Sequence, residues 1–161
     1  MFEKSKQIKF HTAALALVAA GLAISSYLWF GWGASKGVSV ARTANLDRGA
    51  ALYAQACASC HGKNLEGQPN WRVRGPDGRL PAPPHDKTGH TWHHSDRLLL
   101  DITLRGTTAV IGGDYKSNMP GFGETYSEEE LSDVLAWIKT HWPERERSFQ
   151  AQVTAEDEAI R

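Results

Sequence analysis

The chain is expected to be all-α, on three observations. Apolar residues recur at three- and four-residue intervals in three separate stretches, each stretch opens on a helix-capping residue, and the long segments between them are rich in glycine and proline. With 161 residues and 41% hydrophobic side chains, the chain has room for one small domain plus flanking segments. Lys+Arg and Asp+Glu balance at 18 each, so no global field points to nucleic acid or to an acidic membrane surface. The acidic side chains are concentrated after residue 124. Such a face is ordinarily a solvated surface, with a docking role as the rival reading.

The first helical stretch begins at Asn45, a capping residue, and runs from Leu46 through Ala56 into Cys57, with Leu46, Gly49, Tyr53 and Ala56 on one face. Gly49 inside a helix costs about 1 kcal/mol relative to alanine, which points to a close approach of another helix; a merely tolerated glycine is the alternative. Ser95 caps a second helix from Asp96 to Arg105, with Leu98, Leu99, Ile102 and Arg105 at helical spacing and Gly106 as its stop. Residues 107–126 read as a turn-rich loop. Ser127 with Glu130 is a capping box that opens the last helix, whose buried stripe is Leu131, Val134, Leu135, Ile138 and Trp142, and Pro143 ends it. Residues 144–161 are charged and weakly periodic, and are expected to be a charged tail, either a frayed helix or disordered.

Ahead of this domain, Lys4, Lys6 and Lys9 precede an uncharged run from Phe10 to Ser35. About 21 helical residues cover roughly 30 Å, enough to cross a bilayer. Tyr27, Trp29, Phe30 and Trp32 crowd the far end, as aromatic residues do at a membrane interface. The expected organisation is a cytoplasmic N-terminus (1–9), a transmembrane anchor (10–32), a small, polar, flexible tether (33–44), the folded domain (45–143) and the charged tail (144–161). The rival for 10–32 is a secretory signal cut after Gly21-Leu22-Ala23 or Ser39-Val40-Ala41. Either way, the folded domain is exported.

The only two cysteines stand in Cys57-Ala58-Ser59-Cys60-His61. This spacing puts both sulfurs on one side of a helical turn, where each can add to a vinyl group of one haem, and the next residue offers an imidazole to the iron. It is the c-type haem attachment pattern. A redox dithiol, a structural disulfide and half of a zinc site compete with it. A zinc knuckle wants a second Cys or His pair, and a thioredoxin-like pair wants a βαβ setting. Met119 is the one methionine besides the initiator, in a loop between two helices and followed by Pro120. A lone methionine is ordinarily core filler; here it stands about sixty residues beyond the haem motif, where a thioether can reach the open face of the iron. His/Met ligation favours ferrous iron and raises the reduction potential.

Gly49, Tyr53, the Cys57–Gly62 stretch, Asn118-Met119-Pro120-Gly121-Phe122 and Leu135-Ala136-Trp137-Ile138-Lys139 together resemble the class I monohaem c-type cytochromes, in a membrane-anchored bacterial form. The resemblance covers residues 45–143. It implies an all-α, cytochrome c-like helical haem domain in which the first and last helices cross at Gly49 and Trp137. It further implies that a proline carbonyl after the haem motif accepts the second ring hydrogen of His61, with Pro69 as the expected acceptor. The long Gly67–His94 insertion departs from small members of the family. It is expected to pack on the haem edge, with Trp71 and Trp92 as apolar contacts and Trp71-Arg72 near a propionate. Four of the seven histidines lie in it, His85, His90, His93 and His94. The last three stand at helical spacing, and the readings are local hydrogen bonding or packing against propionates, a surface copper or zinc site, and replacement of Met119 by one of the histidines.

The function these residues imply is a single-electron carrier, not an enzyme, with one haem c attached through Cys57 and Cys60 and His61 and Met119 as axial metal ligands. Its expected partners are membrane donor and acceptor complexes, with the lipid bilayer held by the N-terminal helix and the haem domain in the periplasm. Two alternatives stand beside it: a small haem peroxidase or ligand-binding sensor that uses a histidine of the insertion, and a haem subunit docked permanently in a larger oxidoreductase.

Overall fold

The computed structural model describes residues 43–160. The expected cytoplasmic N-terminus, the 10–32 span and nearly all of the 33–44 tether therefore lie outside the described residues. Among the described residues, no helix is long and apolar enough to cross a membrane.

The described chain is helical and contains no strand, apart from one isolated antiparallel bridge between Gly106 and Pro120. Helix α1, Leu46–Leu52, starts at Asn45, whose side chain accepts from the Arg48 N–H, and continues through a π-helical turn, Tyr53–Cys57, into α2, Ala58–His61. The helices α3, Asp96–Arg105, and α5, Glu128–Thr140, open on Ser95 and on the Ser127–Glu130 capping box, as their sequences require. Gly106 stops α3 with φ +84°. A short helix, α4, Thr107–Ile111, lies inside the segment read as loop, and α6, Glu144–Ala159, replaces the expected tail.

The α1–α5 crossing is set by Gly49. A Cβ there would stand 2.2 Å from the Asp133 carbonyl oxygen and 3.0 Å from Trp137 Cβ, so only glycine lets the two backbones meet. Polar contacts fix the same crossing. The buried Asp133 carboxylate accepts from the Asn45 backbone N–H at 3.0 Å and from Arg48 Nε at 2.6 Å, which offsets the cost of removing a charge from water.

Tyr53, Leu65, Val134, Ile138 and Trp142 form the buried cluster, with Trp92, Leu135 and Trp137 packed against it. Tyr53 and Trp137 meet ring to ring at 4.8 Å.

The 144–161 segment, expected as a frayed helix or disorder, is a helix over Glu144–Ala159 that is docked and not frayed. Helix α6 docks through polar groups on the start of α3: Asp157 accepts from Ser95 Oγ and from Arg97 Nε and Nη2, each at 2.8 Å. Thr154 Oγ1 accepts from the Asp96 N–H at 3.1 Å, and Gln150 Nε2 donates to the His94 carbonyl at 3.2 Å. Positions 146, 150, 154 and 157 share one helical face that is polar, so a search for an apolar stripe passes over it.

Candidate functional site

The Cys57–His61 turn is shaped by its neighbours in sequence. The helix that enters it widens to a π turn, closed by the Ala58 N–H on the Tyr53 carbonyl, and this re-aims the residues that follow. Gly62, with φ +82°, ends the turn, and the buried Tyr53 hydroxyl donates to the Gly62 carbonyl at 2.8 Å. Burial holds the Tyr53 phenol above its ordinary pKa, so it remains a donor. Neither cysteine is in a disulfide; Cys57 is half-buried and Cys60 exposed. Burial, with Cys60 adding to it, pushes the Cys57 thiol up to about 11, so it is neutral at physiological pH.

His61 is buried, and its Nδ1 lies 2.8 Å from the Pro83 carbonyl oxygen. A carbonyl can only accept, so Nδ1 carries the proton and the neutral ring keeps its lone pair on Nε2. Burial lowers the pKa of His61 below its ordinary value against the opposing pull of the Pro83 carbonyl, which favours the neutral, ligating form. One face of the ring is covered by His85, whose imidazole stacks on it at 3.9 Å and 19°. Burial, reinforced by His61 and His90, holds His85 neutral as well.

The acceptor is therefore Pro83, not Pro69. The insertion leaves and returns at one point: the Gln68 N–H donates to the Ala82 carbonyl and the Ala82 N–H to Gln68 Oε1, both at 2.8 Å. Gly67 seals the neck, where a Cβ would stand 2.4 Å from the Pro84 nitrogen. Residues 68–82 are thus an excursion. Pro69 lies exposed within it, and the chain reaches the His61 ring only after closure, at Pro83.

Within the insertion, Arg72, Trp71 and His90 form one stack, with the guanidinium 3.9 Å above the indole centroid and the His90 ring 5.3 Å from it at 14°. Trp92 packs on the core cluster and meets Phe149 of α6 edge-on at 5.4 Å. His93 is the last residue of a short 3-10 turn, Thr91–His93, which breaks the helical register the metal reading needed. Among the described residues, no group of three or more His, Cys, Asp or Glu is arranged to hold a metal ion.

Met119 is half-buried on a loop pinned to the end of α3. Gly106 and Gly121 meet back to back: a Cβ on Gly106 would stand 2.7 Å from the Gly121 nitrogen, and one on Gly121 2.6 Å from the Leu104 carbonyl oxygen. The Phe122 N–H donates to the Thr103 carbonyl at 2.9 Å, and the Gly123 N–H to that of Leu104 at 3.0 Å.

The family model for cytochrome c matches residues 46–142, which is more than half of the chain, and the chain belongs to the cytochrome c family. No curated protein and no solved structure matches it. A domain of this family carries covalent c-type haem, and the protein is a haem-binding electron carrier.

The residues present fit that group. Two free thiols stand at the attachment spacing, and His61 Nε2 has no partner among the described residues. Few large apolar side chains are buried in residues 43–160, a slim core that a bound macrocycle would complete. Among the described residues, the buried side-chain polar atoms without a partner are Arg79 Nε, His85 Nδ1, His90 Nδ1 and Trp92 Nε1, all from the insertion. Leaving such an atom unsatisfied costs about 1–3 kcal/mol, so their concentration in one segment fits a group with a polar edge.

Three features escaped the sequence reading. The π turn has no simple sequence signature. Nothing in its spacing singles His85 out from the other histidines of its loop, and Pro83 stands farther along the chain from the haem motif than Pro69.

Proposed function

We propose that the chain transfers one electron at a time, with Cys57 and Cys60 holding haem c and His61 and Met119 as the two axial ligands. The observation that carries this reading is the His61 Nδ1–Pro83 bond, which leaves Nε2 as the free lone pair on the turn that presents both thiols. The bound haem supplies a one-electron iron couple. His61 is held neutral by burial, so no proton has to leave it before ligation. Met119 is presented by a loop whose backbone is anchored at Gly106, Gly121 and Phe122, which favours a fixed thioether over a displaceable one. With His61 and Met119 both held as its ligands, the iron would keep no place for a substrate, so the chain would act as a carrier, not an enzyme. The stack of Arg72, Trp71 and His90 brings a cation to the insertion that carries the unpartnered polar atoms, and it supports a place for these residues beside the propionates. The uncharged run from Phe10 to Ser35 supports a bacterial membrane anchor, with the domain in the periplasm and membrane complexes as donor and acceptor.

The test is the near-infrared spectrum of the oxidised protein. A weak sulfur-to-iron charge-transfer band that resists added cyanide is expected, and Met119→Ala should abolish the band, admit cyanide and lower the reduction potential. A wild-type protein without the band, or one that binds cyanide at once, would refute Met119 ligation and the closed iron.

A further inference from the structure

The His61 ring is restrained in two ways of different kind. Its Nδ1 bond to the Pro83 carbonyl fixes one point of the ring, and a ring held at one point can still rock about that bond. The second restraint is a surface: the His85 imidazole lies face to face with it, 3.9 Å between centroids and 19° between planes.

We propose that His85 is a positioning residue, whose stacked imidazole sets the plane of the His61 ring. This rests on the axial role proposed above for His61.

The backbone of His85 is held firmly enough for the task. Its N–H donates to the Leu65 carbonyl at 2.8 Å, and its own carbonyl accepts from Trp142 Nε1 at 2.7 Å. The edge of its ring meets Tyr53 at 6.0 Å and 62°. Pro83 and Pro84 precede it and stiffen the approach, and the loop behind closes at Gly89, where a Cβ would stand 1.9 Å from the Pro84 carbonyl oxygen. Leu65 offers its carbonyl from a left-handed conformation, φ +68°, which a buried leucine adopts only where its surroundings enforce it. Tyr53, Leu65 and Trp142 belong to the core cluster, so the orientation of His85 is referred to the rigid centre of the domain and not to the insertion alone.

Core packing does not explain the choice of residue. His85 Nδ1 is sealed from solvent without a partner among the described residues. An aliphatic side chain would fill the space without burying a polar atom, but it would present no plane to the neighbouring ring.

The test uses the full-length, haem-loaded protein. In the ferrous, diamagnetic wild type, the ring protons of His61 and His85 should show mutual nuclear Overhauser contacts. In frozen ferric samples, His85→Ala should shift and broaden the electron paramagnetic resonance g-values, because the axial ring is released to a spread of orientations, and the flat ring of His85→Phe should return them towards the wild type. Absence of the wild-type contacts would overturn the proposal, whatever the variants do. So would a His85→Ala spectrum superimposable on the wild type, or a His85→Phe spectrum displaced as far as that of His85→Ala. His61 ring protons lacking the strong upfield shift of an iron-bound imidazole would remove the axial role of His61, and the proposal with it. The same protons shifted normally, with His85→Ala silent, would remove the proposal alone.

Discussion

Tyr53 ties the haem-binding turn to the core with one group. Its ring is buried against Trp137 and its hydroxyl holds the Gly62 carbonyl at the end of the turn. Tyr53→Phe keeps the ring and removes only that bond, so a loss of about 1 kcal/mol is expected, read as a lower denaturation midpoint with an unchanged visible spectrum. The residue scale is also where reading the sequence was least secure. Cys57, Cys60 and His61 are contiguous, so their relation is local and legible. The choice between Pro69 and Pro83 depends on where a loop closes, and that is decided by Gly67 against Pro84 and by Gln68 against Ala82, contacts between residues 14 or more apart.

At the scale of elements, two of the close glycine contacts, at Gly49 and Gly121, do different work. Gly49→Ala forces a Cβ into the backbone of α5, and about 1–3 kcal/mol of stability should be lost as the crossing opens. Gly121→Ala meets the end of α3 instead, so the expected first casualty is the Met119 loop: the sulfur-to-iron band should weaken while far-ultraviolet helicity is retained. Helix starts were legible because a cap is a local bond between residues three apart, as Ser95 and Ser127 show. The docking of helix α6 was not, because its anchors Gln150, Thr154 and Asp157 are polar and find their partners at residues 94–97. Apolar periodicity carries no information about a helix held by hydrogen bonds and an ion pair.

Across the whole domain, burial of a neutral histidine sets a pH limit. His94 lies below its ordinary pKa, chiefly through burial and then through His93. The unfolded chain therefore binds more protons than the folded one once the pH falls below about 6.5, and stability must fall with it. The denaturation midpoint of the haem-loaded protein should drop between pH 7 and pH 5, and His94→Asn should make that drop shallower. A midpoint independent of pH over this range would show that this ring is already open to solvent.

The sequence by itself determined the all-α class, the caps, the glycine at the helix crossing and the Cys57–His61 attachment motif, because each is a local pattern or a requirement imposed by backbone sterics. The tertiary structure decided which carbonyl meets His61, that His85 covers its face, and that the last helix docks. Each of these depends on segments far apart in the chain meeting through closed loops and polar contacts, which leave no periodic trace along it.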